Sequence, residues 1–398
     1  MRNEKLTDWG ASIGIFLAYT GNYIYLPLLI SKLGVEYSGF WAGFIICMTY
    51  VGRVSATFFY SFISKKYGIR NTISLFVLIE GIALFGMGFS NTRMIYSLLA
   101  LCIGFASGIS FPSLKHMLSS LPEKVRLSAF SRFQLASQAG LIIGAIIGSI
   151  WVGPQMSAVF LVVFLFFLSY AFIIFIFVPA DHKDKIIRED NNKVSLLDFS
   201  MLKNVRFPAI KYDLFLSLFY WFLFMSFMVD MPLYIKSYLP ILSVSMPFWL
   251  TGSVLLLFQM SFSKYAEKTF GTSATLAIGC VALFFGFTAF CLDANVICIV
   301  IGCILIALGQ IFFTPALDIL VSRSVGKENM GKAMSAMHFY RSCGNMLGTL
   351  CAGILFDLGR TTHMFNLSWI AYAVIAFSLA IACVALGKSK VSENQISV

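Results

Sequence analysis

Charge is scarce in this sequence. Asp, Glu, Lys and Arg make up 12% of its residues, against about 25% in a soluble domain, so water is not the solvent for most of its surface. Motifs that carry chemistry are missing as well. No G-x-x-x-x-G-K-[ST] run occurs, since Gly387-Lys388-Ser389 lacks the upstream glycine, and direct use of ATP is excluded. The absence of H-E-x-x-H and G-x-S-x-G removes the zinc-protease and serine-hydrolase classes. Nine cysteines form no C-x-x-C pair and no zinc-like spacing. They lie in or beside apolar segments and read as small packing residues. No metal, no cofactor and no enzymatic activity is expected.

Apolar residues are abundant: 59% of the chain is hydrophobic, with 41 Phe. A bilayer span needs about 20 mainly apolar residues. Twelve such runs follow one another, at 10–31, 37–62, 72–90, 95–118, 127–150, 156–178, 209–235, 243–263, 272–291, 295–321, 330–355 and 364–386. Only helices and closed barrels satisfy every backbone polar group in lipid, and runs of this length mean helices. The first run reads as a retained span, because Met1 to Asp8 mixes both charge signs and no A-x-A site follows. The expected fold is therefore an all-α membrane protein of twelve transmembrane helices.

The formal charge of +11 is explained by topology. Of 29 Lys and Arg, only Lys32, Arg93, Lys236 and Arg360 fall in one set of loops, and Arg53 and Arg341 lie within spans. All the others fall in the alternate set, which places both termini in the cytoplasm of a bacterial cell. Nucleic acid is not an expected partner; membrane lipid is. The charged stretch from Asp181 onward cannot bury a core and reads as a cytoplasmic linker, 181–206, between six-helix bundles at 1–180 and 207–398.

The two bundles repeat. Phe111-Pro112-Ser113-Leu114 matches Thr314-Pro315-Ala316-Leu317 at an offset of 203. Gly140 and Gly144 match Gly344 and Gly348 at 204, and Tyr25-Leu26-Pro27-Leu28 matches Asp230-Met231-Pro232-Leu233 at 205. Parallel repeats about an axis along the membrane normal describe the halves of a major facilitator transporter. The loop Ser61 to Arg70 resembles that family's G-x-L-A-D-R-x-G-R-K signature, with Lys66, Gly68 and Arg70 matching and Lys65 at the aspartate position. Its counterpart ends at Gly271 and keeps an acid–base pair, Glu267-Lys268. The resemblance implies a cytoplasmic gate at Lys65, Lys66, Arg70, Glu267 and Lys268. The row Gly140, Gly144, Gly148 and the segment Gly353 to Arg360 resemble the 12-span drug/proton antiporter branch, in particular bacterial MdtH-type exporters. Ala145 stands where that branch has a proline, and Ala100 where it has an arginine.

Ionisable residues deep in spans are functional candidates by default. Arg53 and Glu80 lie at similar depth, about 15 Å and 12 Å from the inner ends of their spans. They read either as a static buried pair or as a site where Glu80 titrates during transport. His338, Arg341 and Asn345 share one face of the eleventh helix. Arg341 is a substrate or gating residue, or one member of a structural pair, and His338 either titrates or packs. Asp230 reads as an outer-gate or proton site, or as an interfacial carboxylate near Lys236. Lys115, His116, Arg132 and Asp318 read as a solvated network at inner helix ends. Gln138 and Gln310 line a cavity or join helices. The family likeness places helices one, four, seven and ten around the cavity, where Tyr19, Asn22, Tyr23, Tyr25, Tyr220 and Trp221 suit a partly apolar organic substrate.

Helix one carries no acid in its span, and arginine is a fitting partner for carboxylates. The reading that follows is a monomeric secondary transporter exporting a small anionic or zwitterionic amphiphile, siderophore-like, in exchange for protons. A cationic multidrug/proton antiporter and an uptake permease or uniporter are the alternatives.

Overall fold

The computed structural model describes residues 2–151, 155–178, 210–325 and 330–396. The expected linker at 181–206 lies outside the described residues. Twelve helices are present among those described: α1 (Arg2–Glu36), α2 (Gly39–Tyr67), α3 (Ile69–Met87), α4 (Arg93–Ser119), α5 (Glu123–Ile150), α6 (Met156–Phe177), α7 (Lys211–Tyr238), α8 (Met246–Phe270), α9 (Thr272–Leu292), α10 (Val296–Ser324), α11 (Met330–Thr361) and α12 (Leu367–Ile396). Each covers one of the twelve apolar runs. No strand occurs among the described residues.

Ten of these helices are long and apolar enough to cross a membrane, and α8 makes an eleventh when its two arms, 246–259 and 261–270, are taken as one span. The remaining helix is α11, whose middle carries Arg341 and Asn345. Large apolar side chains stay exposed along the helices, among them Phe172, Phe175, Leu257 and Ile297. An apolar patch of that extent marks contact with something other than water.

The chain divides into two compact units. One comprises Met1–Leu33 and Phe44–Met201, the other Gly34–Gly43 and Leu202–Val398. The short segment Gly34–Gly43 thus groups with the second unit rather than with residues 1–180. The cause is local: a Cβ on Gly39 would meet Gly353 O at 2.8 Å, and one on Gly43 would meet Thr349 O at 2.3 Å. Glycine alone lets these backbones approach so closely.

Within each unit the same devices recur at the repeat offset. Gly68 and Gly271, 203 residues apart, take φ of 75° and 79° and end α2 and α8. Thr92 and Asn295, also 203 apart, accept from Ile95 N at 3.4 Å and Cys298 N at 2.8 Å, capping α4 and α10. Pro112 and Pro315 sit inside those helices. Gly144 of α5 lies against Thr20 O of α1, and Gly348 of α11 against Phe222 O of α7, each leaving only 2.3 Å for a Cβ. In the first unit α3 packs between α4 and α6; in the second, α9 packs between α10 and α12.

Candidate functional site

The first unit carries a half-buried Arg53 on α2, a buried Glu80 on α3 and a buried Asp8 on α1. Arg53 sits where α2 and α4 touch: a Cβ on Gly108 would lie 2.7 Å from Arg53 O. Its Nη2 donates to Ser107 Oγ at 3.3 Å, and its guanidinium lies 5.2 Å from the Tyr50 ring centre. These contacts hold the group by one hydrogen bond and one cation–π contact. Glu80 is buried on α3 at 5% exposure. Arg53 is within electrostatic reach of it, yet no ion pair joins the two among the described residues. Similar depth therefore does not make the static pair that the sequence allowed, because depth leaves open which way each helix turns its side chain.

Tyr19 and Tyr23 stack on α1 with ring centres 6.2 Å apart, beside half-buried Asn22. Tyr25 points elsewhere: it is buried against Phe160 of α6 at 5.3 Å. Gln138 on α5 keeps its Oε1 buried without a hydrogen-bond partner.

In the second unit the guanidinium carbon of Arg341 lies 3.3 Å from the Trp221 ring centre. The cation is stacked on a ring of α7. Arg341 and His338 are exposed, while Asn345 on the same face is buried with Oδ1 unpartnered. Tyr220 stacks flat on Phe313 of α10, with centres 4.3 Å apart and planes 5° apart, and is buried. It serves as packing between helices, and Trp221 is the ring of that pair that meets a charge. Gln310 keeps an unpartnered buried Oε1 on α10.

Asp230 corrects one expectation. Its side chain is fully buried and accepts from Tyr372 Oη at 3.1 Å, so it is not an interfacial carboxylate near Lys236. The donor comes from α12, a helix that sequence reasoning had not linked to it. A buried carboxylate whose hydrogen-bond donors are the neutral hydroxyls of Tyr372 and Ser368 is costly to keep charged.

At the helix ends, Glu267 accepts from Arg323 Nη2 at 3.0 Å, and Arg323 Nη1 donates to Thr272 Oγ1 at 2.9 Å. The partner of Glu267 is thus Arg323 at the end of α10, and the adjacent Lys268 stands exposed without a pair among the described residues. At the matching junction of the first unit no carboxylate meets the basic residues among those described. Lys65 and Lys66 are exposed, Lys66 lies 5.7 Å and 5.4 Å from the Phe62 and Tyr67 ring centres, and Arg70 stacks on Phe175 at 4.7 Å. Of the residues expected to form a network at helix ends, Arg132 pairs with Asp8 of α1, His116 Nδ1 meets Tyr60 Oη at 3.4 Å, Lys115 lies 4.7 Å from the Phe111 ring centre, and Asp318 is exposed.

Two interactions escaped sequence reasoning. In the sequence Asp8 is only part of a mixed-charge start, and Asp357 falls within the Gly353–Arg360 segment with no local motif to give it a role. Its two carboxylate oxygens accept from Gly39 N and Phe40 N, both at 2.8 Å, satisfying the first amides of α2. The only sequence signal was an acid placed among glycines.

Comparison with known proteins accords with this architecture. Residues 11–349 match the Major Facilitator Superfamily. The chain belongs to that superfamily. It is 22% identical over 355 residues to the MFS-type transporter YttB of Bacillus subtilis (strain 168), covering 87% of both chains. It is 22% identical over 379 residues to the MFS-type transporter YqjV of the same organism, covering 90% of this chain and 89% of the other. Among solved structures, that of the nucleoside transporter NupG superposes with a TM-score of 0.77 at 15% identity, over 96% of this chain and 99% of the other. This superfamily member is a multi-pass membrane transporter of small molecules, not an enzyme.

Proposed function

We propose that this transporter exports a small anionic or zwitterionic organic molecule in exchange for protons, by alternating access. The observation that carries the reading is Arg53. A guanidinium has five N–H donors, and among the described residues one of them is used, on Ser107. The remaining donors form a planar fork suited to a carboxylate, beside the tyrosine rings of α1. Arg341, stacked on Trp221, offers a second cation in the other unit. Between residues 10 and 31 α1 carries no acid, which disfavours a cationic cargo. Export, and the link to protons, rest on the resemblance to MdtH-type drug/proton antiporters. Glu80, Asp230 and His338 are the candidate proton carriers, and the two carboxylates are buried.

Proteoliposomes test the reading directly. With a proton gradient imposed, wild type should drive uptake of an amphiphilic carboxylate into everted vesicles. Arg53→Gln should cut that flux about tenfold or more, and Arg53→Lys should restore it only in part. Equal flux of quaternary ammonium dyes, unaffected by Arg53→Gln, would instead establish a cationic drug antiporter. Flux that runs only with the proton gradient inward, cargo and proton together, would make the protein an uptake permease.

A further inference from the structure

The two helix junctions that the repeat equates, α2–α3 and α8–α9, differ in their electrostatics. At α8–α9 the carboxylate of Glu267 is bound by Arg323, which also reaches Thr272, the first residue of α9. At α2–α3, Ser64 occupies the matching position, 203 residues earlier, and its hydroxyl turns back to Ser61 O at 3.3 Å. Lys65, Lys66 and Arg70 surround that junction, and among the described residues none of them meets a carboxylate. Gly68 precedes α3 and no side chain caps the helix, so its first amides add partial positive charge.

What lies beside these bases is apolar. Arg70 stacks on Phe175, and Tyr67, Leu75, Phe172, Phe175 and Ile176 are exposed along α3, α6 and the end of α2. Ser74 Oγ donates to Ala171 O at 3.2 Å, which ties α3 to α6 along this seam. A cationic rim continuous with a ring-lined apolar strip matches a molecule with an anionic head and acyl tails. A free phosphate would use the rim and leave the strip unused.

We infer that the α2–α3 junction, with the adjoining α3–α6 seam, binds an anionic phospholipid. The headgroup phosphate meets Lys65, Lys66 and Arg70, and the chains lie on Leu75, Phe172 and Phe175. The lipid supplies to the first unit the negative partner that Glu267 supplies to the second. By the loop-charge bias this is the cytoplasmic leaflet, where basic clusters attract anionic lipid.

Native mass spectrometry of the purified full-length protein tests this. Phosphatidylglycerol and phosphatidylcholine would be offered in equal amounts, to wild type and to a Lys65→Gln/Lys66→Gln/Arg70→Gln variant. Wild type should retain phosphatidylglycerol over phosphatidylcholine, and the triple variant should lose about tenfold in that preference. Lys268→Gln at the matched junction should leave the preference unchanged. A charge-keeping Lys65→Arg/Lys66→Arg variant guards against misfolding and should bind as wild type does. Equal retention of the two lipids, or an unchanged preference in the triple variant, would overturn the inference and leave a solvated basic rim. Displacement by millimolar inorganic phosphate as readily as by lipid would overturn it in favour of a soluble anion.

Discussion

Two carboxylates within the helices are held by single elements rather than by opposite charges, and this makes their partners testable one at a time. Tyr372→Phe removes the donor to Asp230 Oδ2. Ser368 remains beside the carboxylate, and losing one bond to a buried acceptor costs about 1 kcal/mol, so the variant should melt at a lower temperature in detergent. If Asp230 carries the proton, its exchange rate should also change. Glu80→Gln keeps the shape of a side chain that has no ion pair with Arg53. It should fold and bind substrate as wild type does while losing pH-driven exchange. Unchanged antiport by that variant would remove Glu80 from the coupling path. Asp357→Asn gives up the charge and replaces one of the two accepting oxygens with an NH2 that cannot accept from the start of α2, and should lower stability by about 1–2 kcal/mol, as loss of a helix cap does. Thermal melting with and without the substitution measures it.

At the scale of helices, glycine spacing and end contacts decide the packing. Gly348→Ala would place a methyl group 2.3 Å from Phe222 O, a contact with backbone that no rotamer change relieves. A cost of about 1–3 kcal/mol is expected from such overpacking, read as a drop in melting temperature. The Glu267–Arg323 pair is exposed enough, at 30% and 64% of the side chains, that a double-mutant cycle should give under about 1 kcal/mol. The helices themselves were legible in the sequence, because bilayer thickness fixes their length and lipid forbids unpaired backbone. Their partners were not. Asp8 with Arg132, Glu267 with Arg323, and Asp357 with Gly39 and Phe40 join residues 56 or more positions apart. No local pattern encodes such pairings. Tyr25 and Tyr220 were singled out as cavity rings for the same reason: position along a helix was readable, but rotation about its axis was not.

For the molecule as a whole, the internal repeat was the strongest signal available, and each unit reproduces it in caps, prolines and glycine contacts. What the repeat leaves open is function, since two units of like construction differ in their charges. The first carries Arg53, Glu80 and an all-basic junction; the second carries Arg341, Asp230 and an ion-paired one. On the proposed reading, substrate choice and coupling follow from those differences.

The constant offset between Gly68 and Gly271, Thr92 and Asn295, and Pro112 and Pro315 also has a bearing on ancestry. Across this stretch the two copies of an ancient duplication have kept the same length, while elsewhere their spacing has drifted by one or two residues. A helix turns about 100° per residue, so a single insertion here would swing every following side chain off its neighbour. Residues 69–112 and 272–315 are therefore the portion of each copy with least freedom to change in length, and the natural pair to exchange when one half is rebuilt from the other.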